Sequence, residues 1–132
     1  MRSIHENLQA VRQRIARAAS AAGRDPGSVS LVAVSKTHPA ALIEQAYAAG
    51  QRAFGENYVT EALRKMDALR LPVEWHLIGP LQSNKTRLAA ERFQWVHSIE
   101  REKTARRLSE QRRSGSCCSA RSRSGAIRAP GR

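Results

Sequence analysis

Residues 30–50 read SLVAVSKTHPAALIEQAYAAG. SLVAVS (30–35) is a short apolar run rich in β-branched residues, as in a buried strand of a parallel sheet. Pro39 suits the first position of a helix, where its missing N–H leaves no hydrogen bond unmade. AALIEQAYAAG continues that helix, and Gly50 ends it.

The same strand-then-helix unit recurs downstream. RAFGE (52–56) precedes a helical YVTEALRKMDAL (58–69). VEWHLIG (73–79) precedes a helix over 84–92, and QWVHSI (94–99) precedes REKTARRLSEQ (101–111). Upstream, residues 3–22 carry Ile4, Leu8, Val11, Ile15, Ala18, Ala19 and Ala22 at helical spacing. Ser3 and Glu6 form a capping box, and Gly23 closes the helix. Strands alternating with helices imply parallel strands and right-handed crossovers. One unit about every 20 residues suits a (β/α) barrel, of which eight units and about 250 residues make a whole. The 132 residues hold four such units. The expected class is therefore α/β, the N-terminal half of a (β/α)8 TIM-type barrel: a helix, then four βα units with parallel strands.

Composition narrows the function classes. At 41% hydrophobic the chain can build a core, so wholesale disorder is excluded. No run of about 18 apolar residues occurs, so no transmembrane helix is expected. MRSIHENLQAVRQR lacks an apolar core and carries Glu6, unlike a secretory signal. Two adjacent cysteines, Cys117 and Cys118, exclude a disulfide framework, and a reducing, cytoplasmic setting is expected. Four histidines without paired ligand spacing argue against a structural zinc site.

The net charge of +12 is unevenly spread. Residues 112–132 hold six arginines and no acid, with Ile127 the one large aliphatic residue. Such a segment cannot bury enough apolar area to offset chain entropy and is expected to be disordered. It could serve as an arm for nucleic acid or a membrane surface. Alternatively it is a non-native end from a frameshift or read-through, which the abrupt change of composition after Gln111, within a helical pattern, favours. The expected organisation is a partial barrel over 1–111 and a basic tail over 112–132.

Barrels carry their chemistry at the C-terminal ends of their strands. Those ends are SKTHP (35–39), FGENY (54–58), HLIGPLQSNK (76–85) and VHSIE (96–100). Lys36 directly follows the first strand. Its amine could attack a carbonyl to form a Schiff base, or it could be a rim lysine reaching into solvent. The Asn57 amide could meet a phenolate or carbonyl oxygen, or cap helix 58–69. His76 is either a satisfied, half-buried histidine or a site residue. Ser83 or Asn84 is expected to cap the next helix, with Lys85 in its first turn, placed for an anion or solvated. Trp75 and Trp95 are expected in the core. His97 ends a strand with no partner visible in sequence, and Cys117 and Cys118 have no base or ligand nearby.

LVAVSKTHP, FGENYVTEA and EWHLIGPLQSNK followed by WVHSIE closely resemble the pyridoxal-phosphate homeostasis proteins, single-domain relatives of the alanine racemase N-terminal barrel. The resemblance spans residues 1–111. It implies a (β/α)8-type barrel that binds pyridoxal 5′-phosphate, with Lys36 as the Schiff-base lysine and Asn57 and His76 lining the cofactor mouth. Family members carry about twice this barrel content, and their second half supplies the Ser/Gly-rich segment that grips the phosphate. Nothing in 112–132 resembles it, so a truncated or frameshifted product with weakened cofactor binding is expected.

The function implied is a non-catalytic carrier that buffers or delivers the cofactor, with cofactor-requiring apoenzymes as possible recipients. A pyridoxal-phosphate-dependent amino-acid racemase is the alternative. It would need a second acid/base and a pyridine-nitrogen partner, neither of which is evident in this half. A basic nucleic-acid-binding protein is the third reading. Against it, the tail lacks aromatic residues for base stacking and 1–111 shows no helix-turn-helix signal, which leaves only non-specific contact through the basic tail.

Overall fold

The structure is a computed structural model and describes residues 2–112, 119–122 and 125–127. Helix α1 spans Ile4–Ala21 and opens on the expected capping box. The Glu6 N–H donates to Ser3 Oγ at 3.2 Å, and the Ser3 N–H donates to Glu6 Oε2 at 2.7 Å. Gly23 follows at φ +72°, the left-handed exit glycine takes without strain. The α1 stripe is only partly covered: Ala19 is buried, whereas Val11 is exposed. Ile4 and Leu8 pack against the core, and polar contacts also anchor α1. Arg12 donates from Nη1 to the Ala49 carbonyl at 3.0 Å and from Nη2 to Gln51 Oε1 at 3.1 Å. Gln51 Nε2 in turn donates to the carbonyls of Leu31 and Ala53.

Four βα units follow: β1 Ala33–Val34 and α2 Ala40–Ala48; β2 Ala53–Glu56 and α3 Val59–Leu69; β3 Glu74–Leu77 and α4 Thr86–Arg92; β4 Trp95–Ile99 and α5 Glu102–Gln111. The four strands are parallel and adjacent in chain order, so the expected fold class holds. Pro39 sits one residue earlier than expected, as the N-cap of α2.

Alternation along the strands sorts the sheet into two faces. Phe54, Trp75, Leu77 and Val96 face the helices and are buried with Ile43, Ala62, Met66, Ala89, Phe93 and Leu108. Each fully buried large side chain contributes roughly 1.5–3 kcal/mol, and the Phe54 and Trp75 rings meet at 5.9 Å. The opposite face is more open. Val34 is 49% exposed there, so β1 is not covered on both faces as its apolar run implies. Among the described residues it is an edge strand, paired with β2 alone.

In the basic segment, Ser119–Ser122 (β5) lies parallel to β4, and Gly125–Ile127 (β6) lies antiparallel to β5. The sequence reading expects no structure there. Strand addition uses backbone groups, and the far side of β4 would otherwise leave a row of them unpaired. The rest of that segment, with Cys117 and Cys118, lies outside the described residues. Among the described residues no helix is long and apolar enough to cross a membrane.

Candidate functional site

Sheet register places the strand-end residues in layers. Val34, Gly55, His76 and Trp95 are level across β1 to β4. Two positions further along the chain, just past the ends of β1, β2 and β3 and within β4, come Lys36, Asn57, Ile78 and His97. Lys36 and Asn57 thus share the layer at the C-terminal ends, and His76 lies one layer deeper.

Lys36 is exposed in a tight turn. The Ser35 N–H donates to the Gly55 carbonyl at 2.9 Å, and the His38 N–H closes the turn on the Ser35 carbonyl at 3.1 Å. Thr37 has φ +63°. A β-branched residue rarely adopts that region, and such strain costs about 1–3 kcal/mol unless the surroundings enforce it.

The enforcing contacts come from α3. The Thr37 N–H donates to Glu61 Oε1 at 2.8 Å. Lys65 Nζ donates to the Ser35 carbonyl and to Glu56 Oε1, both at 2.7 Å, and pairs with Glu61 Oε1 at 3.0 Å. Ser35 Oγ donates to the same Glu56 oxygen at 2.6 Å. Glu56, Glu61 and Lys65 are the residues that sequence reasoning missed. The i,i+4 spacing of Glu61 and Lys65 is visible, but it is common on solvated helix faces.

The Lys65 ammonium, then the Thr37 N–H, hold the Glu61 carboxyl below its ordinary value of 4.5. A carboxyl lowered in the folded state stabilises above its unfolded pKa, and that contribution is lost as pH falls through the lowered value. The melting-temperature gap between the native chain and Glu61→Gln should therefore be fully open above the ordinary value of 4.5 and close as the pH falls below it. Parallel curves over that window would show that the charge on Glu61 contributes nothing.

Asn57 is half-buried and does not cap the helix. Tyr58 occupies the N-cap of α3 and makes no side-chain cap bond. His76 is 6% exposed. Its Nδ1 meets His97 Nε2 at 2.9 Å and its Nε2 meets Glu74 Oε1 at 2.7 Å. Its ring stacks on Trp95 at 5.6 Å with an interplanar angle of 2°. His97, without a visible partner in sequence, is therefore paired with His76 and carries the cluster up to the Lys36 layer. Trp75 is buried, as expected, whereas Trp95 is partly exposed on the open face.

Neither Ser83 nor Asn84 caps α4. Ser83–Lys85 forms a 3-10 turn, and Lys85 takes the N-cap with no side-chain bond. Beside that turn, Ser83, Ser98 and Arg101 help line a cleft of about 320 Å³ at the C-terminal ends of β3 and β4.

The family model for the alanine racemase N-terminal domain matches residues 7–120. The pyridoxal phosphate homeostasis protein of Pseudomonas aeruginosa is 61% identical over 116 residues, covering 87% of this chain and 50% of that protein. Its counterpart in Escherichia coli K12 is 51% identical over 116 residues, covering 85% of this chain and 50% of that protein. Among solved structures, PipY of Synechococcus elongatus PCC7942 with PLP bound superposes with a TM-score of 0.64 at 52% identity, over 74% of this chain and 47% of that one. An unknown protein from Bifidobacterium adolescentis gives 0.75 at 32% identity, over 82% and 49%. The chain spans about half the length of the curated relatives it matches. On sequence and fold together, the chain belongs to the alanine racemase N-terminal domain family and is similar to the N-terminal half of proteins named pyridoxal phosphate homeostasis protein.

Proposed function

We propose that this chain binds pyridoxal 5′-phosphate in intracellular cofactor homeostasis, held as a Schiff base on Lys36, and acts as a carrier rather than an enzyme. The observation that carries the reading is Lys36 itself: an exposed amine at the C-terminal end of β1, in a turn pinned on both sides. The nearby carboxylates, Glu56 and Glu61, are engaged by Lys65. Among the described residues the Lys36 amine makes no ion pair and fits the demand for a group open to an aldehyde. When bound, the cofactor supplies that aldehyde, and condensation with the amine releases one water.

Asn57, in the same layer, would hydrogen-bond the ring oxygen through its amide. His76 would act from below through His97. The names and the PLP-bound structure among the relatives support the cofactor, and the homeostasis names support a carrier whose recipients are cofactor-requiring apoenzymes.

Borohydride treatment after adding pyridoxal phosphate should leave a mass adduct on Lys36, and Lys36→Ala should lose it together with the visible absorbance band. Equal adduct yield in Lys36→Ala would sink the assignment. Formation of D-alanine from L-alanine by the loaded chain would overturn the carrier reading in favour of a racemase.

A further inference from the structure

Building on the reading of Lys36 as the aldehyde-bearing residue, we infer that Glu61 and Lys65 are positioning residues that clamp the Lys36 backbone from both sides. Lys65 Nζ holds the carbonyl of Ser35, the residue before Lys36, at 2.7 Å. Glu61 Oε1 holds the N–H of Thr37, the residue after it, at 2.8 Å. The two clamp groups are joined at 3.0 Å and stand one helical turn apart on α3. Lys65 is fixed in turn by Glu56 Oε1 at 2.7 Å, on the last residue of β2. The clamp is thus supplied by the neighbouring βα unit, not by the strand that carries Lys36.

Thr37 shows why a clamp is needed. Its φ of +63° is unfavourable for a β-branched residue, so an unrestrained turn relaxes to negative φ. The chain is held on either side, by the Ser35 N–H on Gly55 and by the His38 N–H on Ser35. A change of φ at Thr37 must then be taken up at Lys36, which swings the lysine away from the Asn57 layer. Glu61 opposes that relaxation directly, and Lys65 does so by fixing the peptide before Lys36 and orienting Glu61.

The test uses the full chain in native, Glu61→Gln and Glu61→Ala forms, with Glu61→Asp, one methylene too short, as a second disabling variant. Amide hydrogen exchange at Thr37 reads the clamp without any cofactor. Exchange should be about tenfold faster or more in Glu61→Ala and close to native in Glu61→Gln, whose amide oxygen still accepts the bond. Pyridoxal phosphate with borohydride then reads the consequence. The share of adduct on Lys36, relative to Lys85 and Lys103, should fall about threefold or more in Glu61→Ala and recover in Glu61→Gln. A merely structural role would lower the melting temperature without redistributing the adduct.

Unchanged Thr37 exchange in both Glu61→Ala and Glu61→Asp overturns the clamp. Faster exchange with an unchanged Lys36 share overturns its service to Lys36. A native chain that reacts no better at Lys36 than at Lys85 or Lys103 overturns the cofactor reading instead. The exchange result then still decides whether the clamp exists.

Discussion

Lys65→Met should destabilise the protein by about 3–5 kcal/mol, the range for removing one partner of a buried ion pair. Glu56 is 0% exposed, and Lys65 Nζ is its cationic contact at 2.7 Å. Glu56 Oε2 already has no hydrogen-bond partner among the described residues, so after the substitution the carboxylate keeps only the Ser35 hydroxyl. Methionine fills most of the lysine stem's volume, and the loss is therefore electrostatic rather than a cavity. Set against a typical total of about 5–15 kcal/mol, a large share of the stability margin is at stake. The double replacement Lys65→Met with Glu56→Leu should recover much of the loss, because two apolar side chains need no counter-charge. Urea titration of the single and double variants gives the comparison. A single variant within about 1 kcal/mol of native would mean that solvent already reaches Glu56.

That network also marks where the sequence stops being informative. The four βα units were legible because burial on the helix side imposes an apolar pattern: Phe54, Trp75, Leu77 and Val96 are the residues that make each run look like a strand. The capping box at Ser3 and Glu6 and the glycine exit at Gly23 were legible because each is a local rule, satisfied within one turn of chain. Lys36 was legible as a strand-end amine. What holds it in place was not. Glu61 and Lys65 lie 24 and 30 residues from the backbone groups they bind. From sequence alone their spacing matches any solvated i,i+4 pair. The N-caps of α3 and α4 misled for the opposite reason. Asn57, Ser83 and Asn84 have good capping chemistry, but those helices begin one or two residues later, where no cap bond forms. In the basic segment, β5 and β6 were invisible because the strand edge that recruits them asks only for backbone groups and leaves no apolar signature.

Gly79→Ala should cost about 2–3 kcal/mol, near the upper part of the range for overpacking a well-filled site. At Gly79 the constraint is contact and not torsion. An added Cβ would collide with the carbonyl oxygen of Asn57 and lie 2.7 Å from its Cα and 2.8 Å from its carbonyl carbon. All three atoms are backbone, so no side chain can rotate away, and the FGENY segment itself must shift. That segment carries Asn57, level with Lys36, and leads directly into α3, which carries Glu61 and Lys65. Displacing it disturbs both the amide proposed to meet the cofactor and the helix that clamps the lysine. The expected drop in melting temperature is roughly 10 °C for a domain of this size, with a fall in pyridoxal phosphate binding beside it. Gly55→Ala is the control. A Cβ there would approach Ile78 Cδ1 and Val32 Cγ1 at 3.2 Å. Both are side-chain methyls on the more open face of the sheet and can give by a few tenths of an ångström, so the loss should stay near or below about 1 kcal/mol. A Gly55→Ala loss as large as that of Gly79→Ala would show that the side-chain contacts yield no more than the backbone ones, and a Gly79→Ala protein that melts with the native chain would show that the strand ends are looser than this contact requires. Asn57 would then not be held level with Lys36 by the backbone of β3's exit.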